Sequence, residues 1–239
     1  MRITSLRNSE KRSRFLARTA KEAKNYSVHK KVGITLVSLL TLLTVLLYII
    51  AALYKQTGSF TVSVDKYEMT KYGLSLCENR DMINKTSNLN ANIDEQISNI
   101  AEEWLPDNLD AIDGNHSKDN YVAYTFYLQN TGAVEVPVEY AINISNISNG
   151  LDEAIRIRLY VDGEYTNYAK VKSDGSGAER GAQEFYNDTI AVYRRIENFK
   201  PQETIKFTVV IWLEGNDPDC LDWMIGGKLK ADMFINIVH

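Results

Sequence analysis

Side chains able to do chemistry are few and scattered in this chain. There are three histidines, His29, His116 and His239, and none belongs to an H-E-x-x-H pair of the kind that holds zinc on a helix. Neither a G-x-S-x-G nucleophile elbow nor a glycine-rich phosphate loop occurs. Acidic side chains cluster twice, at Asp107, Asp110 and Asp113 and again at Glu214, Asp217, Asp219 and Asp222. Carboxylates grouped with backbone carbonyls can bind calcium. Neither group has EF-hand spacing, so solvated Asp-rich turns are the expected reading. The sequence therefore predicts no catalytic residue and no cofactor, with calcium as the one candidate ion. A membrane-bound hydrolase with an unrecognised site stays as the alternative.

The elements that carry these residues begin with a charge split. Residues 1–31 hold ten Lys/Arg against Glu10 and Glu22, a balance of +8. Residues 32–239 hold the remaining 17 basic and 29 acidic side chains, a balance of −12. An acidic bulk argues against nucleic acid as a partner, because phosphate contacts need basic side chains. Val32 to Leu53 contains no charged residue. As a helix it spans roughly 33 Å, enough for a bilayer core. It is too long for the apolar region of a cleaved signal peptide, and Ile50-Ala51-Ala52 lacks a clean A-x-A site. The expected organisation is a basic cytoplasmic tail over 1–31, a single transmembrane signal anchor over 32–53 and an extracellular domain over 54–239. The positive-inside rule sets that orientation at the cell membrane.

Beyond the anchor the dominant period is two. Phe60, Val62 and Val64 alternate with Thr61, Ser63 and Asp65, and Val134, Val136, Val138, Tyr140, Ile142 and Ile144 alternate with Glu135, Pro137, Glu139, Ala141, Asn143 and Ser145. Ile155, Ile157, Leu159 and Val161 alternate with Arg156, Arg158 and Tyr160, which places the arginine row toward solvent. Two further rows run over 205–213 and 229–237. Tyr121–Gln129 is apolar on both faces, as expected for a central strand covered on both sides. Asn130-Thr131-Gly132, Asp162-Gly163 and Ser173–Gly177 mark turns between the rows. The fold class is all-β, an Ig-like antiparallel β-sandwich. Pro137, which cannot donate to a ladder, belongs at an edge or bulge.

One stretch breaks the rhythm. In Ala91–Leu105, the residues Ile93, Ile97, Ile100 and Trp104 form a helical stripe that stops before Pro106. This predicts one inserted helix at about 91–105, with Trp104 packed on the core. Cys77 and Cys220 both fall on the outer side of the membrane, where an even pair suggests a disulfide. Closing so long a loop would stabilise the domain by roughly 4–5 kcal/mol in the chain-entropy model. The alternative is two buried thiols, since spacing alone does not bring their Cα atoms together.

The string Phe207–Asp222, FTVVIWLEGNDPDCLD, followed by Gly226-Gly227 and Met233, resembles the C-terminal signature of TasA/camelysin-like surface proteins of Gram-positive bacteria, the signal-peptidase-W-dependent type. It is most similar to an uncharacterised membrane-anchored branch, which also carries elements seen here as Asp110–Gly114, Asn120–Leu128, Asp152–Arg156 and Val161–Gly163. Trp212, Glu214, Gly215, Asp217, Pro218 and Cys220 match the signature residue by residue. The resemblance covers roughly residues 60–235. It implies a jelly-roll-like sandwich at the cell surface, where relatives build biofilm matrix fibres by completing one subunit's sheet with a strand of the next. Some camelysin-like members have been described as proteases, but no zinc site can be carried over to this chain. The motif is expected to be structural, with Asp217-Pro218 forming a turn and Trp212 anchoring it.

The function expected from these observations is a structural or interaction role at the cell surface, in matrix, adhesion or envelope assembly. A ligand-binding sensor ectodomain is the further alternative. The expected partners are the membrane and either homologous surface proteins or a second copy, met through edge-strand pairing. Phe60, Val62 and Val64 mark the candidate exchange strand, because it directly follows the tether. In the monomer that strand is expected to pair within its own chain.

Overall fold

In this computed structural model, residues 31–50, 60–91 and 98–238 are described. The chain divides into two compact units, Met1–Tyr54 and Lys55–His239. The first contains helix α1 (Lys31–Ile50), the one described helix long and apolar enough to cross a membrane. Its side chains are exposed throughout. The basic tail over 1–30 and the last three residues of the expected anchor lie outside the described residues.

The second unit is an all-β sandwich with an inserted helix. Its strands are β1 (Phe60–Val64), β2 (Leu74–Cys77), β3 (Asn88–Ala91), β4 (Gly114–Asn115), β5 (Tyr121–Asn130) and β6 (Val136–Ser145), followed by β7 (Ile155–Val161), β8 (Glu164–Ala169), β9 (Ala182–Glu184), β10 (Ile190–Phe199), β11 (Thr204–Leu213) and β12 (Lys230–Ile237). One sheet has the order β10-β6-β12-β1-β3. The other runs β2-β5-β11-β7-β8-β9, with β4 sharing the outer side of β5. Most pairs are antiparallel, but β1 runs parallel to β12, and β8 parallel to β9. The inward rows of both sheets meet in one core containing Phe60, Val62, Phe126, Ile142, Phe207 and Met233.

Local sterics account for several of these features. β1 and β6 alternate buried and half-exposed residues along their whole length, as a sheet solvated on one face requires. Asp162 and Gly163 both have positive φ, 51° and 95°, and join Val161 to Glu164 in a two-residue hairpin. This is the backbone of a type I′ turn, for which Asp-Gly is a preferred pair. Pro137 lies opposite a register shift in β10 between Ile196 and Phe199. The bulge removes the need for the donor that Pro lacks.

The inserted helix is α2 (Lys66–Tyr72), between β1 and β2. Asp65 caps it by accepting from the Tyr67 N–H at 2.7 Å, and Gly73 ends it. The helix expected over 91–105 has a different outcome. Ala91 ends β3, residues 92–97 with Ile93 and Ile97 lie outside the described residues, and Glu102–Trp104 is a single 3-10 turn. Ile100 is extended, because its N–H donates to Leu213 O at 2.9 Å and its carbonyl accepts from Gly215 N at 3.1 Å. That ladder with the end of β11 holds Ile100 out of a helix. Trp104 is 76% exposed, not packed in the core.

β1 is an inner strand, paired to β12 on one side and β3 on the other. Phe60, Val62 and Val64 are all buried in the core. Both ladders of the candidate exchange strand are thus made within the chain.

Candidate functional site: an ionic cluster under the outer face of the larger sheet

The outer face of the larger sheet is covered. The segment 98–113 crosses β5 and β11 and buries a second apolar cluster of Ile100, Leu105, Leu109, Tyr121, Val210 and Trp212. Tyr121–Gln129 is therefore covered on both faces, as its composition predicts. The cover also changes the fate of the next strand. Arg156 and Arg158, expected to face solvent, are buried. A guanidinium can be buried only if its charge and donors are matched, and each arginine has a carboxylate.

Arg156 makes a buried salt bridge with Asp217. Asp217 also accepts the Asp219 N–H at 2.8 Å. Arg158 pairs with Glu102 in the cover segment, and its Nε donates to Asn167 Oδ1 at 2.8 Å. Asn167 Nδ2 closes that triangle by donating to Glu102 Oε1 at 2.9 Å. The Arg158 guanidinium lies 4.4 Å from the Tyr165 ring centre and 5.6 Å from that of Trp212. Four elements are joined in this way: β7, β8, the cover and the turn after β11.

The turn after β11 contains the signature residues. Trp212 is fully buried and its Nε1–H donates to Glu214 Oε2 at 2.9 Å. The same oxygen accepts the Glu102 N–H at 3.1 Å, and Oε1 accepts the Asn216 N–H at 3.0 Å. Backbone bonds from Asp217 N to Glu214 O and from Cys220 N to Asp217 O tighten the turn around an exposed Pro218. Gly215 lies against Asn99. Trp212, Glu214, Gly215, Asp217 and Cys220 are thus brought together around the end of β11, where they hold the cover in place.

A second polar group lies further along β11. Lys206 pairs with Asp110, whose Oδ1 also accepts from Thr208 Oγ1 at 2.7 Å. Thr208 in turn meets Thr125 at 2.7 Å. Tyr127 donates to Asp113 at 2.7 Å, and Tyr124 donates to Glu78 at 2.5 Å. Burial, followed by the bond to Asp113, pushes the Tyr127 phenol up to about 12. Burial and Glu78 push Tyr124 the same way. Asp107 and Asp222 are exposed. Among the described residues no three His, Cys, Asp or Glu come together in a way that could hold a metal ion. His116 Nδ1 lies 2.9 Å from Gly114 O, while His29 and His239 fall outside the described residues.

The expected disulfide is not formed. Cys77 and Cys220 are both free thiols. Cys77 is opposite Tyr127 on the β2–β5 ladder, whereas Trp212, just before the Cys220 turn, is opposite Tyr121. Those two tyrosines lie six positions apart on β5, about 20 Å at the usual strand rise. A disulfide needs Cα atoms within about 7 Å. Cys77 packs with Met82 and Tyr127, and Cys220 Sγ accepts from Asn99 Nδ2 at 3.8 Å. Burial raises the Cys220 thiol pKa, so it carries little thiolate at neutral pH.

Chemically the cluster is a clamp. Glu102, Asp110, Glu214 and Asp217 each face a cation or several N–H donors, which occupy the carboxylate lone pairs. Alternation places Arg156 and Arg158 toward solvent, where the structure buries them, and nothing in the sequence marks their partners Asn167 and Glu102. The available signal was the outer row of β11, Thr208, Val210 and Trp212, too apolar for a solvated face beside those arginines. No protein-family model and no curated protein matches the chain. The fold defines the class: an all-β sandwich carrying one N-terminal helix long and apolar enough to cross a membrane.

Proposed function

We propose that this is a single-pass protein displayed at the cell surface, with a structural or interaction role in matrix, adhesion or envelope assembly. In this reading residues 32–53 cross the membrane, the basic tail stays in the cytoplasm, and the sandwich stands outside. The observation that supports it is helix α1, uncharged after Lys31 and exposed on every side, following a +8 tail and ahead of a −12 domain. The TasA/camelysin-like resemblance supplies the surface role. The clamp fits such a role, because its ion pairs consolidate the sandwich. Exchange of β1 between neighbouring copies requires it to leave both β12 and β3, so the monomer is the resting form.

The test is protease treatment of intact cells. The expected result is loss of residues 54–239 with a membrane-embedded stub retained through alkaline carbonate extraction. A mature secreted form beginning near Leu53 or Tyr54 would overturn the anchor.

A further inference from the structure

At one end of the sandwich, large apolar side chains point outward. Leu221 is 49% exposed, Trp223 55% and Ile225 78%, and Ile147 lies on the adjoining loop. These side chains are held out by built structure. Met224, between two of them, is buried, and its N–H donates to Leu221 O at 2.9 Å. Asn149 Nδ2 donates to Ile225 O at 3.2 Å. The Trp223 ring lies over Gly150, where a Cβ would come within 2.5 Å of Cη2. Gly150 also has a positive φ of 52°, so this residue seats the indole and permits the turn together.

The strand register shows which end this is. Phe60, the first residue of β1, pairs with Ala231, and Lys230 pairs with Ser145. Ser148 and Lys228 exchange backbone and side-chain bonds just beyond. The Leu221–Ile225 loop therefore projects from the end at which the chain enters the sandwich. Only nine residues, 51–59, link Ile50 to Phe60 in the sequence, a covalent reach of at most about 36 Å.

We propose that the Leu221–Ile225 loop docks on the phospholipid interface of the bilayer that α1 crosses, with Trp223 at headgroup level and Ile225 deepest. The inference rests on the anchor reading above. Trp suits a site with one wet and one apolar side, which is why it concentrates at membrane interfaces. Asp222 is exposed within the loop, so the attraction is apolar and insensitive to salt. The loop would hold the sandwich against the membrane at a fixed end.

The test uses the full chain in phosphatidylcholine vesicles, with Cys77→Ala and Cys220→Ser to remove native thiols. An environment-sensitive fluorophore is placed at Ile225→Cys or, as a control, at Val134→Cys. Val134 is equally apolar and 57% exposed, but it lies at the opposite end, between β5 and β6. Nitroxide-bearing lipids should remove most of the emission at 225 and leave that at 134 unchanged. Trp223→Asp should abolish the quenching at 225. If the chain resists carbonate extraction and neither label is quenched, the docking proposal fails while the anchor stands. A blue-shifted but unquenched label at 225 means a protein covers the loop, which also overturns it. A chain released by carbonate overturns both readings.

Discussion

Trp212 and Glu214 are two residues apart on the same strand end, and the indole N–H of the first donates to the carboxylate of the second at 2.9 Å. The same carboxylate oxygen fixes the Glu102 N–H. One buried acid thereby ties the end of β11 to the segment that covers its outer face.

Removing that acid should loosen the cover. Glu214→Ala leaves three N–H groups without their acceptor, a loss of about 3 kcal/mol. Glu214→Gln keeps one acceptor oxygen and should lose less. Trp212→Ala opens a cavity and should cost about 3–5 kcal/mol. Chemical denaturation of the three variants gives this order, and an unchanged midpoint for Glu214→Ala would refute the clamp.

The Arg156–Asp217 pair gives a different signature. Breaking it by Asp217→Leu strands a buried guanidinium and should destabilise by about 3–5 kcal/mol. Combining Asp217→Leu with Arg156→Met removes both charges and should recover most of that loss. A double-mutant cycle measures the difference. Additive single losses would mean the two side chains do not interact.

Thiol chemistry separates the two cysteines. Native protein should label slowly at half-buried Cys220 and not at Cys77, which reacts only after unfolding. Reducing agent should leave the melting temperature unchanged. Alkylation followed by intact-mass measurement decides this. A native mass lighter by two hydrogens, with no labelling, would restore the disulfide.

Alkaline pH should unfold the domain through its tyrosines. Burial and the Asp113 bond raise Tyr127 from the ordinary 10.0 to about 12, and Tyr121 and Tyr124 shift in the same direction. The folded state keeps protons that the unfolded chain releases, so stability is complete below about pH 10 and falls as pH rises toward 12. Melting curves across that range, followed with tyrosinate absorbance, test it. Tyr127→Phe should flatten the decline, and an identical decline in that variant would remove Tyr127 as a cause.

Much of the β-sandwich is written locally. Alternation over Phe60–Val64 and Val136–Ser145 follows from the two-residue repeat of a strand, and Asp162-Gly163 meets the backbone demand of its hairpin by itself. The apolar run of α1 is likewise a property of consecutive residues. The short helix α2 was hidden because seven residues carry too little periodicity to stand out beside flanking strands.

Tertiary structure decided what depends on distant partners. Whether Arg156 faces water or Asp217 is settled by a turn 61 residues further on, not by the Ile-Arg-Ile-Arg pattern around it. Ile100 has helical spacing, yet Leu213 and Gly215 offer it backbone hydrogen bonds, and packing against β11 outweighs a propensity difference of under about 1 kcal/mol per residue. Cys77 and Cys220 read as a pair in sequence, but Cys77 sits opposite Tyr127, whereas the turn that carries Cys220 follows Trp212, which sits opposite Tyr121 at the start of β5. Composition gave the chain its strands, its apolar helix and its charge split. The position of each strand in the two sheets determined which side chains were buried, because burial depends on what lies across the face, and that neighbour comes from elsewhere in the chain.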